Sequence, residues 1–279
     1  MIAKLLVNFY RLVHGKLHLP GAGWLIRRLL PYVPGLYAYP LKVPDVGTAL
    51  LDFRDEAAFG LLNFQLNDLG NDAPLVHHME AVLEREQVLW DIGANVGYVC
   101  MYFARPCHQL SAIHAFEPNP VALKSLRSLF RSHLRVTVHP VGLGARDDQL
   151  EMHIPPNGSQ LGSVVRKMDR GERVLIQVRA GDAYRKEQQI PLPDIVKIDV
   201  EGFEPSVFSG LPETIAQKRP IIFFEHLWLN DDQIRKLVPP DYTLLFILQD
   251  GTLTADFVRR TKGHDAVLVP TEKTHRLGS

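Results

Sequence analysis

The chain has 279 residues, enough for one large domain with an appendage and a substantial core. Its 31 basic and 31 acidic residues cancel, which leaves no electrostatic footprint for nucleic acid and excludes that partner class. Two cysteines, Cys100 and Cys107, give no disulfide framework and read as buried small hydrophobes in a reducing compartment, and no run approaches the ~20 apolar residues of a membrane span.

Residues 1–80 form an N-terminal extension unlike the rest. Ile2, Leu5, Leu6, Phe9, Leu12 and Val13 fall at helical spacing and predict an amphipathic helix over the first thirteen residues. Asn8, Arg11 and His14 interrupt its apolar stretch, so a signal peptide is not expected and the chain reads as a cytoplasmic enzyme. A segment rich in Pro and Gly follows, from Pro20 to Pro44. No acid appears before Asp45, while Lys4, Arg11, Lys16, Arg27, Arg28 and Lys42 all precede it. Two readings stand: a cap whose apolar face packs on the core, favoured because most amphipathic helices pack that way, and a weak contact with an anionic membrane on its cytoplasmic face. His77 and His78 read as solvated surface. The twelve histidines show no ligand spacing, so no metal is expected.

Residues 81–279 alternate strand and helix, which predicts an α/β fold with a mostly parallel sheet. The first strand, 88–93, ends in Asp91 and runs into the turn Gly93-Ala94-Asn95-Val96-Gly97, which opens a buried helix over 98–104. A strand ending in a glycine turn at a helix start is the form of a nucleotide-type cofactor site. The middle glycine that clears room for a dinucleotide pyrophosphate is missing. Asp91 would repel a phosphate and welcome a cation, which favours S-adenosylmethionine over a nicotinamide cofactor. The second strand, 112–117, ends in Glu117, whose carboxylate can accept both ribose hydroxyls. Asn119 then caps a helix beginning at Pro120.

A third strand, 136–141, closes on Gly142-Leu143-Gly144. Residues 149–190 form a small β insertion with a mobile tip, either a wall of a substrate pocket or a decorative edge. Strand four, 194–200, is followed by Glu201, and strand five, 221–226, ends in Glu225-His226. Strand six spans 242–248, and 264–269 returns as its hairpin partner. Lys197 and Asp199 break the apolar run of strand four on one face. Asp199 sits at the carboxyl end, where open α/β sheets place ligands. With strands four and five adjacent, Asp199, Glu201, Glu225 and His226 are the candidates for catalysis. An equal alternative for His226 is a neutral ring bonded to Glu225, and Glu204 reads as a partner of its own helix dipole.

Three ordered motifs, Trp90 to Gly97, Phe116 to Pro120 and Val196 to Glu204, together resemble the FkbM-type S-adenosylmethionine-dependent methyltransferases over roughly residues 80–230. The resemblance implies a seven-stranded class I methyltransferase fold with a terminal β hairpin and methyl transfer to oxygen. The acceptor it implies is a hydroxyl on a sugar, glycolipid or secondary metabolite. It also implies that the turn from Asp91 through Gly93 and Asn95 to Gly97 holds the methionine moiety and Glu117, beside Asn119, the ribose. Gly142 and Leu143 would border the adenine, and Asp199 would lie by the methyl donor. Two alternatives remain beside this reading: a catalytically silent methyltransferase-like scaffold and, disfavoured by the missing glycine, a nicotinamide-dependent oxidoreductase.

Overall fold

A computed structural model describes residues 2–15, 28–33, 36–65, 69–108, 110–156, 158, 162–166 and 171–277. Its frame is an eight-stranded sheet ordered β12-β11-β13-β10-β9-β3-β4-β5. Strands β3 (Val88–Ile92), β4 (Ala112–Phe116), β5 (Val136–His139), β9 (Ile195–Ile198) and β10 (Ile221–Glu225) run parallel. Covered on both faces, they read as nearly unbroken apolar runs. Alternate side chains feed two cores. Leu89, Ile113, Ile195 and Phe223 join one, while Trp90, Phe116, Val196 and Phe224 join the other.

The chain leaves β3 toward β4 and β5 on one side, and returns to β9 and β10 on the other. That reversal opens a crevice above the carboxyl ends of β3 and β9. Helix α4 (Tyr98–Phe103) connects β3 to β4, and α5 (Pro120–Leu129) connects β4 to β5. Asn119 Oδ1 accepts from Val121 N at 2.9 Å with Pro120 in the first turn, so the predicted cap forms. Strand β13 (Asp265–Pro270) pairs antiparallel with β11 (Tyr242–Ile247) as the expected hairpin partner. It also pairs with β10, and so lies between strands five and six. The two-residue edge strand β12 (Leu253–Thr254) was not legible in the sequence.

The insertion is a separate three-stranded sheet, order β6-β8-β7, from Gly142–Gly144, Glu172–Ala180 and Asp148–Ile154. It therefore begins before residue 149, at the glycines that close strand three. The tip predicted to be mobile lies partly outside the described residues.

In the extension, α1 (Ile2–Gly15) is followed by a hairpin of β1 (Tyr39–Val43) and β2 (Gly47–Leu51), then by α2 (Ala57–Gln65) and α3 (Ala73–Ala81). The hairpin is stitched to α5 by Ser125 Oγ to Leu50 O and Leu50 N to Ser128 Oγ, both 2.7 Å. The predicted packing face of α1 is corrected. Val7 and Tyr10 enter the core, whereas Leu5, Phe9 and Leu12 face outward. The helix is apolar on two sides, and the row carrying the aromatic hydroxyl, which Asn63 satisfies at 3.0 Å, packs inward. Cys100 is buried as expected, but Cys107 is exposed on a short turn after α4. No helix among the described residues is long and apolar enough to cross a membrane.

Candidate active site

The carboxyl ends of β3, β4, β9 and β10 open into a cleft of about 660 Å³, within the range of small-molecule sites. Its floor is the turn after β3. Gly93 adopts φ 82°, and a Cβ there would lie 1.8 Å from the carbonyl oxygen of Asp199, so only glycine lets the end of β9 pass. Asn95, at φ 51°, donates its N–H to Glu117 Oε2 at 2.7 Å, and Asn119 N donates to Glu117 Oε1 at the same distance. Glu117 is thus held by two backbone donors, with further lone pairs facing a cleft that it lines. Burial pushes its carboxyl up to about 7 against the pull of those two donors. Gly142, Leu143 and Asn119 line the same wall.

Two residues of the glycine motif do not line the cleft. Gly97, φ 98°, starts α4, where a Cβ would meet Leu126 Cδ1 at 2.8 Å, so its smallness serves helix packing. Asp91 is wholly buried beneath the floor. Its Oδ2 accepts from Cys100 Sγ at 3.1 Å, and its Oδ1 lies 3.3 Å from Lys197 Nζ. A strand alternates its side chains, and this position faces the core. The cation that Asp91 meets belongs to the protein.

Lys197 ties the floor together. Its Nζ donates to Gly93 O at 3.2 Å and sits 3.2 Å from Asp199 Oδ2. Burial alone would lower its ammonium, but the Asp199 and Asp91 carboxylates outweigh it and hold the group above its ordinary value. Lys197 and Asp199 therefore share one face, as their spacing predicts.

Asp199, Glu201 and Glu225 come together, each offering a carboxylate oxygen within 4.8 Å of the others. Their states differ. Glu201, at φ 56° in the tight turn after β9, accepts from Arg166 Nη2 and from Trp228 Nε1 at 2.9 Å. The Arg166 guanidinium stacks 3.9 Å over the Trp228 ring. Burial and the Asp199, Glu201 and Glu204 carboxylates push Glu225 far above the ordinary carboxylate range, so it carries its proton at neutral pH. Within this donor set Asp199 is met by Lys197 and Glu201 by Arg166.

His226 does not join them. It follows Glu225, so its ring points to the opposite side, edge-on to Phe246 at 5.1 Å and with Nδ1 3.4 Å from Arg260 Nη1. Burial and Arg260 lower it to about 4, so it is neutral there. Glu204 folds back onto the turn, accepting from Val200 N and Gly202 N.

The remaining walls come from outside the motifs. Asn63, Phe64 and Asp72 of the extension and His264 before β13 line one side, and Met152 and Ile176 of the insertion line another. The insertion is thus a wall of the cleft rather than a remote edge. Arg166 and Trp228 carried no spacing signal, since their pairing joins segments far apart in the chain.

Setting aside the edge strand β12, the open sheet runs β5-β4-β3-β9-β10-β13-β11 with an acid-lined cleft at its switch point, the architecture of the class I methyltransferase fold. Residues 91–249 match the methyltransferase FkbM domain, more than half of the chain, and the chain belongs to that family. It is a methyltransferase. Hexuronic acid methyltransferase AglP of Haloferax volcanii is 23% identical over 206 residues, covering 74% of this chain and 79% of the relative. The 2-O-methyltransferase NoeI of Sinorhizobium fredii is 26% identical over 202 residues, covering 66% and 80%. The crystal structure of a methyltransferase FkbM from Methylobacillus flagellatus is 18% identical with a TM-score of 0.45, covering 76% of this chain and 54% of that one.

Proposed function

We propose that the protein transfers the methyl group of S-adenosylmethionine to a hydroxyl of a sugar. One observation carries this reading: a single cleft has the backbone-held Glu117 on one wall and the carboxylates of Asp199 and Glu225 on the other. The residues fit that cofactor. Glu117 keeps acceptor capacity for a ribose diol, and the turn at Gly93 to Asn95 lets backbone approach the methionine end. Gly142 and Leu143 border the place for the adenine. The names of the two relatives, a hexuronic acid methyltransferase and a 2-O-methyltransferase, support a sugar as the acceptor and oxygen as the methylated atom.

The cofactor supplies an electrophilic methyl on a sulfonium. The work left to the chain is to hold a hydroxyl in line with it and to accept the proton as the oxygen–carbon bond forms. Among the four residues first singled out, Glu201 is engaged by Arg166 and Trp228, Glu225 is protonated, and His226 faces away. Asp199 is paired as well, with Lys197, but it shares that ammonium with Asp91 and its side chain is 41% exposed, and on these grounds we assign it as the base. Lys197 is shared between Asp91 and Asp199, so these two carboxylates leave one net negative charge at the floor, which with Asp72 suits an uncharged or amino-bearing sugar better than a hexuronate.

The test is calorimetric titration with S-adenosylmethionine, followed by transfer of a labelled methyl to neutral, amino and uronic sugars, free and lipid-linked. One site per chain and label on neutral or amino sugars are expected. Cofactor binding without transfer to any sugar would favour the silent scaffold, and preference for the uronic sugar would overturn the charge argument.

A further inference from the structure

Helix α1 has two apolar rows, and only one of them is used by the fold. Val7 and Tyr10 are fully buried, and Leu6 packs beside them. On the opposite side Leu5, Phe9 and Leu12, spaced i, i+4 and i+7, are 70, 52 and 43% exposed. Lys4 and Arg11, seven apart, lie along the flank between the two rows. Leu29 and Tyr32 repeat the pattern, solvent-facing on either side of Leu30, which is buried in the same core. An apolar row with basic residues at its edge is the arrangement of a helix lying in a lipid interface.

Charge identifies the occupant. The first 44 residues hold six Lys and Arg and no acid, in a chain whose total charge is zero, so the remainder carries an excess of six acids. A protein partner for the row would need no such separation, whereas an anionic lipid surface attracts this end and repels the rest, fixing orientation as well as attachment.

We infer that α1 is a seat for an anionic membrane, with Leu5, Phe9 and Leu12 entering the interface and the exposed Lys4 at their edge meeting lipid phosphate. The seat is tied to the cleft. Tyr10 donates to Asn63 Oδ1 and packs edge-on to Phe59 at 5.7 Å, and Asn63, Gly60 and Phe64 of the same helix α2 line the site. If the acceptor reading holds, a lipid-borne sugar would meet the cleft at the surface where the enzyme rests.

Co-sedimentation of the full chain with vesicles of equal phosphatidylglycerol and phosphatidylcholine tests the seat without reference to methyl transfer. Binding should weaken at least tenfold on pure phosphatidylcholine, in half-molar salt, and in the L5S/F9S/L12S variant. The same variant should keep its fold and its S-adenosylmethionine affinity, because none of those side chains belongs to the buried core or lines the cleft. K4E, a reversal at an exposed position, should weaken binding to the charged vesicles without losing the fold. Unchanged pelleting of the triple variant, or no pelleting of the parent chain, would overturn the inference. So would a parent dimer that the triple variant splits, which would make the row an interface between copies.

Discussion

The two walls of the cleft are built on different principles. On the Glu117 wall, polar groups are answered locally by backbone: Asn95 and Asn119, within 22 residues of the glutamate, hold both of its oxygens. On the Asp199 wall they are answered by charged side chains from distant segments. Lys197 reaches back to Asp91, 106 positions earlier, and Arg166 of the insertion reaches Glu201. Backbone donors are present whatever the side chains, so the first wall is robust to substitution. The second depends on a balance of charges in which removing one partner strands another.

The largest effect is expected at the reacting centre. Asp199→Asn should keep the fold and cofactor affinity while turnover falls by roughly two to four orders of magnitude. Single-turnover kinetics with labelled cofactor read this directly, and an active variant would move the base to His264, which lines the same mouth. Lys197→Met should cost about 3–5 kcal/mol of stability in urea unfolding, because the wholly buried Asp91 loses its counter-charge. Adding Asp91→Asn should recover much of that loss. No recovery would mean that Lys197 acts mainly through Asp199.

On the other wall the effects are smaller. Glu117→Gln should weaken cofactor binding by the ~1.5–3 kcal/mol of a hydrogen bond to a charged group. It also carries a pH signature. Since burial raises its folded value from 4.5 to about 7, its contribution to apo stability is complete below 4.5 and is lost as the pH rises through 7. Cofactor affinity should run the opposite way over that window, because ribose hydroxyls donate best to the ionised carboxylate. The Gln variant should flatten both slopes in thermal melts and calorimetry.

The smallest change is expected from Arg166→Ala. Glu201, which lines the cleft, would keep Trp228 but lose its guanidinium, and the acceptor KM should rise by roughly 2- to 30-fold, the ~0.5–2 kcal/mol of the lost cation–π stack, with some loss of stability. Cofactor affinity should stay constant, which would separate the two walls cleanly.

Much of the frame follows from local periodicity. The apolar runs at 88, 112, 195 and 221, the cap at Asn119 and the hairpin return at 265 all express short-range preferences that survive in any context. Glycine at 93 and the acids at 117 and 199 could be placed at strand ends for the same reason. What the sequence left open depended on which of two faces was inward and which distant charge was near. The alternation of β10 sends Glu225 into the cleft and His226 to Phe246. Helix α1 had two apolar rows and buried the one whose Tyr10 found Asn63. Asp91 looked like a ligand for a cofactor cation until folding brought Lys197 within 3.3 Å. Periodicity is a property of neighbours along the chain, whereas charge pairing and the choice between equivalent faces are settled only by packing in three dimensions.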